Sequence, residues 1–119
     1  MFPLENLEVY KKAFASNQRV YGLLKSNRTI PAYFKNQYGR ASLSIMLNIA
    51  EGCGRVTAKD RKNFLIIARG SVFECVSILD FLFAQNEVGE DFQSEMKGIY
   101  SEISKMLFAM IKNLDDNGG

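Results

Sequence analysis

Any chemistry in this chain has to be done without histidine, which is absent. That removes the commonest general base, the usual zinc ligand and every Ser–His or Cys–His nucleophile pair. A di-iron centre of the kind helical bundles carry needs Glu-x-x-His on two helices and is excluded in that form. Two cysteines remain, Cys53 and Cys75, with no CxxC spacing. Cys53 stands between Gly52 and Gly54 and close to Arg55, where a lowered thiol pKa would be favoured, although a lone turn cysteine is more often incidental. Glu51 and Glu74 are too far apart in a bundle register to be assumed a carboxylate pair. These residues point away from an enzyme, and no metal or cofactor is expected.

Polar residues that fall on or beside apolar faces say more. Tyr38, Arg40, Ser42, Asn48 and Glu51 lie in one periodic stretch, and Arg69, Ser71 and Glu74 in the next. Pairing these stretches antiparallel about the turn between them sets position 48 near 64 and 41 near 71. Glu74 then comes near Tyr38 and Arg40. A buried carboxylate left unpaired is very costly, so Arg40, Tyr38 and Ser71 are its expected partners. The network Tyr38, Arg40, Asn48, Glu51, Ser71 and Glu74 is read as a device that fixes helix register rather than as a proton-transfer or ligand site. Arg69 and Glu51 fit the surface equally well.

The net charge of +2 conceals an uneven distribution. Residues 1–69 hold 12 Lys/Arg against 4 Asp/Glu, and residues 70–119 hold 3 against 9. Such a split offers a basic region to phosphate or to an acidic partner. It equally lets basic helices neutralise acidic neighbours. The candidate nucleic-acid contacts are Arg55, Lys59, Arg61 and Lys62 around the second turn, with Lys11 and Lys12 brought close if the first helix is antiparallel to the second. The start of the following helix would add its positive dipole end.

These residues need elements to hold them. Both prolines, Pro3 and Pro31, fall outside the long periodic stretches. Spacings of three and four predict a helix over about 5–25, with Leu7, Tyr10, Phe14, Asn17, Tyr21 and Leu24 inward. A second runs over about 32–51, with Phe34, Tyr38, Ala41, Ile45 and Asn48 along one side, and Gly52-Cys53-Gly54 reads as its stop. Thr57 caps a third over about 58–85, with Phe64, Ile67, Ala68, Ser71, Cys75, Ile78 and Leu82 inward. The fourth covers about 90–114 through Phe92, Met96, Ile99, Ile103, Met106, Met110 and Leu114. A polar tail from Asp115 to Gly119 is expected to fray. The fold class is all-α, a single-domain antiparallel up-down-up-down four-helix bundle over 1–119.

No run of about 18 apolar residues suits a membrane span. The start MFPLENLEVYKK has no basic-then-apolar region, so reduced cysteines and a cytoplasmic location are expected.

The order of motifs resembles a known family. Asn48-Ile49-Ala50-Glu51-Gly52-Cys53-Gly54-Arg55, then Asn63 through Ala68-Arg69-Gly70-Ser71 to Glu74, and an opening like Leu7-Glu8-Val9-Tyr10-Lys11 are similar to the four-helix-bundle 23S rRNA intervening-sequence proteins. The family often has a small polar residue where Cys53 stands and leucine where Phe73 stands. The resemblance implies a bacterial homo-oligomer, a ring of five subunits. A related branch accompanies diversity-generating retroelements, and for it the resemblance implies a basic oligomer that binds RNA or DNA and a reverse transcriptase. It brings no catalytic residues, and it implies that Asn48, Glu51, Gly52, Arg55, Gly70, Ser71 and Glu74 serve folding and assembly.

Three functions follow from these readings, in decreasing order of support. The first is a non-enzymatic oligomer with a nucleic-acid-binding basic surface. The second is a protein-interaction scaffold that uses the acidic fourth helix or exposed Val72, Phe81 and Phe83. The third is an enzyme, with Cys53 as its only nucleophile of note.

Overall fold

A computed structural model of the chain describes residues 2–116. Four helices carry the fold: α1 Glu8–Ser26, α2 Ala32–Gly54, α3 Ala58–Ala84 and α4 Glu90–Asp116. Each packs on the next, and α1 also meets α4, which closes the bundle. Contacts run in opposite sequence directions across every pair. Ser44 meets Ser71 and Phe34 meets Phe81 between α2 and α3. Lys12 meets Glu102 and Arg19 meets Glu95 between α1 and α4. The neighbours are therefore antiparallel, in a body of 47 × 26 × 22 Å.

Helix ends differ from expectation for local reasons. Pro3–Asn6 forms a short 3₁₀ turn, and extended Leu7 precedes α1, which so begins at Glu8. Gly52, Cys53 and Gly54 do not stop α2 but form its last turn; the chain leaves through extended Arg55. Gly52 is instead a close-approach position. A methyl group there would lie 3.3 Å from the Arg61 carbonyl oxygen and 3.4 Å from Phe64 Cβ. The Thr57 cap forms as expected, its hydroxyl accepting from the Asp60 amide at 3.1 Å. Asn86, at φ 62°, ends α3 in the left-handed conformation, and the Glu87 amide reaches back to the Leu82 carbonyl at 2.9 Å, a Schellman arrangement. Asp115 and Asp116 complete α4 rather than fraying, with Asp115 held by Lys62 at 2.6 Å. The rest of the expected tail, 117–119, lies outside the described residues.

The inward faces are shifted on three helices. On α1 the buried residues are Val9, Ala13, Ser16 and Val20. Phe14 is exposed, and Tyr21 is 65% exposed beneath the Lys25 ammonium. Ala13 and Ser16 are small enough to let α1 lie close to its neighbours, and Ser16 satisfies its hydroxyl on the Ala13 carbonyl at 2.9 Å. On α3, Leu65, Val72 and Leu79 are buried while Ile67 faces out. On α4, Tyr100 and Leu107 join Met96 and Ile103 in the core, and Met106, Met110 and Leu114 pack at its margin. The α2 face, with Tyr38, Ala41, Ile45 and Ile49, agrees with its periodicity.

Candidate interaction surfaces

The polar residues assemble differently from the expected network. Tyr38 and Tyr100 place their hydroxyls 3.0 Å apart in the core, where Cys75 is also fully buried. Ser44 and Ser71 meet at 2.8 Å, and Asn48 donates to the Ser44 hydroxyl and carbonyl, each at 2.9 Å. Arg40 and Glu74 are exposed and take no part, and Glu51 pairs with Arg55 on the surface at 2.9 Å. Position 44 rather than 41 stands across from 71. The buried face of α3 runs through Leu65, Ala68, Val72, Cys75 and Leu79, which leaves Glu74 on the exposed side of the helix.

Burial raises the Tyr38 and Tyr100 hydroxyls above their ordinary 10.0 and pushes the Cys75 thiol up to about 12. All three stay neutral at ordinary pH. Cys53 is raised too, chiefly by burial, with Arg61 opposing; it lines a small apolar groove with Leu7, Leu65, Met110 and Leu114. The thiolate expected beside Arg55 is therefore not stabilised. Among the described residues no three His, Cys, Asp or Glu side chains group as a metal site would require, and no helix is long and apolar enough to cross a membrane.

The basic candidates are largely engaged with acids. Lys12 pairs with Glu102 at 2.8 Å, Lys62 with Asp115 at 2.6 Å, Lys11 with Glu8 at 3.4 Å and Arg55 with Glu51 at 2.9 Å. The hydrogen bond with Glu102 holds the Lys12 ammonium above its usual pKa, and Lys12 in turn lowers that of Glu102. Arg61 donates from Nε to the Arg55 carbonyl at 2.7 Å, and the Arg55 guanidinium lies 4.6 Å from the Phe64 ring centroid. Lys59 is exposed with no ion pair within 4.0 Å among the described residues. Part of the charge split is thus cancelled between α4 and its basic neighbours. Arg55, Lys59 and Arg61 still share the end of the bundle with Val56, 92% exposed.

Apolar surface is the larger surprise. A groove of about 490 Å³ between α3 and α4 is lined by Ile66, Arg69, Gly70, Phe73, Phe108 and Ile111. Phe73 is 58% and Phe108 54% exposed. Between them lies the Arg69 guanidinium, 5.1 and 5.2 Å from the two ring centroids, its Nε donating to the Ser104 carbonyl at 3.3 Å. On α2, Leu43 and Leu47 form a second exposed strip. Of the side chains expected as an interface, Val72 is buried and Phe83 half-buried, while exposed Phe81 stacks on Phe34 at 5.3 Å. The groove escaped sequence reasoning because Arg69 and Phe73 are one turn apart on α3, but Phe108 comes from α4.

The model of the 23S rRNA-intervening sequence proteins matches residues 5–109, which takes in all of α1, α2 and α3 and most of α4. The chain belongs to the 23S rRNA-intervening sequence protein family. In this family member the Asn48–Arg55 motif forms the last turns of α2 and its exit, and the Asn63–Glu74 motif lies within α3, with Gly52 of the first packed against Phe64 of the second. A solved protein of unknown function from the S23 ribosomal protein family of Bacteroides thetaiotaomicron is similar in fold, with a TM-score of 0.83 and 25% identity over 87% of this chain and 98% of that one. No match was found among curated proteins.

Proposed function

We propose that this rRNA-intervening-sequence protein works as a self-associating, non-catalytic building block, with a homo-oligomer as its working unit. The observation that carries this reading is the pair of apolar surfaces on different sides of the bundle, one on α2 and one between α3 and α4. Scattered exposed apolar residues are ordinary, but contiguous ones with aromatic and arginine anchors mark binding surfaces. Five is the subunit number we propose, as the resemblance implies. Light scattering on Leu47→Ser and Phe73→Ser tests the reading. Both side chains are outside the core, so helicity should persist while the mass falls; unchanged mass in both would count against it.

A second reading adds nucleic acid, RNA above all, at the α2–α3 turn. It is favoured by the exposed Arg55, Lys59 and Arg61 beside the first turn of α3, where backbone amides and dipole favour phosphate. Oligomerisation would repeat that patch in every subunit. A protein partner such as a reverse transcriptase would use the same assembled surface, and the two reduced cysteines suit a cytoplasmic setting.

A further inference from the structure

We infer that the groove between α3 and α4 seats the Leu43–Leu47 strip of a second copy of this chain, with Arg69 receiving that copy's Glu51. The inference rests on the self-association proposed above and says which surfaces meet. Arg69 is set in advance. Two phenyl rings hold its guanidinium and Ser104 takes its Nε, so little side-chain freedom remains to be lost when a carboxylate arrives. An arginine so placed accepts a carboxylate at two parallel N–H groups.

Shape and charge select the occupant. The groove is concave and its one charged lining residue is cationic. On α4, Lys105 and Lys112 stand three residues before and four after Phe108, on the same helix face. Glu74 is the acid on α3 near Phe73. Two grooves cannot fill each other, and face to face they would oppose Arg69 to Arg69. The α2 strip carries an acid at one end. Leu43 and Leu47, the latter 49% exposed, stand out at one-turn spacing; Glu51 follows Leu47 by one further turn on the same face, and the cation Arg40 stands at the opposite end, three residues before Leu43. Its partner in the isolated chain, Arg55, is an exposed i,i+4 pair, which a carboxylate leaves or shares at little cost.

Groove to strip is a heterologous contact. Each docking event leaves one groove and one strip open, so association continues past two copies until a ring closes.

Charge exchange at the two positions tests this in the full chain. Arg69→Glu and Glu51→Arg should each reduce the mass in solution to that of one chain, and the double variant should regain the parent mass. A parent mass retained in either single variant, a double variant that stays monomeric, or a parent that stops at a dimer would overturn the pairing while leaving self-association intact. A parent that is monomeric throughout would overturn self-association itself. Circular dichroism reports folding; should Arg69→Glu lose helicity, Glu51→Arg, which removes only the surface contact to Arg55, decides.

Discussion

The hydroxyl of Tyr38 on α2 and that of Tyr100 on α4 lie 3.0 Å apart with both rings wholly buried. The bond crosses the core diagonally, between helices that are not consecutive in the bundle. It ties the vertical positions of α2 and α4 together at a point where a slip of either would strand a hydroxyl away from water.

Removing one partner should cost more than its own bond. Tyr100→Phe leaves the Tyr38 hydroxyl buried without an acceptor or donor and should destabilise by about 1–3 kcal/mol. Tyr38→Phe strands the Tyr100 hydroxyl in the same way and should cost a similar amount. The double substitution should cost less than the two singles together, a coupling read from urea denaturation of all four proteins. Additive costs would show that the hydroxyls do not interact.

The same cluster sets an alkaline limit. Cys75 moves from an ordinary 9.0 to about 12, and both tyrosines move up from 10.0. An unfolded chain loses these protons first, so the native state binds more protons and stability falls as pH rises above about 9. Cys75 alone contributes a slope of about 1.4 kcal/mol per pH unit between the two values. Thermal unfolding at about pH 8 and about pH 10.5 should show a lower melting temperature at the higher pH; equal temperatures would contradict the burial of these groups.

Two glycines should respond in opposite senses to alanine. A methyl at Gly22 meets nothing within 4 Å, so Gly22→Ala should stabilise α1 by about 0.5–1 kcal/mol. A methyl at Gly52 presses on the Arg61 carbonyl, a backbone atom that cannot rotate aside. Gly52→Ala should destabilise by about 1 kcal/mol as overpacking outweighs helix propensity. Denaturant midpoints decide the signs.

For the basic end, filter binding of structured RNA across salt concentrations should show affinity falling as salt rises. Lys59→Ala and Arg61→Ala should weaken binding and flatten that slope, each by about one unit. Lys62→Ala should do less, because Asp115 already occupies that ammonium. Binding that is absent or indifferent to salt would remove nucleic acid from the account.

How far the sequence could be read depends on what each signal measures. Long stretches of three-and-four spacing with few breaks are enough to specify four helices, and the Thr57 cap is a local event that its residues declare. Which face turns inward is a tertiary outcome. On α1 the aromatic stripe through Phe14 and Tyr21 is the more hydrophobic choice, yet small Ala13 and Ser16 permit closer packing and take the core. On α3 the buried face runs through Leu65, Ala68, Val72, Cys75 and Leu79, which makes Glu74 a surface acid rather than the expected buried partner. The groove around Arg69 could not be read in advance, because residues from α3 and α4 meet only in the folded bundle.

Sedimentation equilibrium of the unaltered chain reads the assembly itself. Self-association predicts a mass that is a whole multiple of one chain, five on the family resemblance, and that falls only on dilution. A mass of one chain at every concentration would contradict it and leave the exposed Phe73, Phe108 and Leu47 without the role assigned to them.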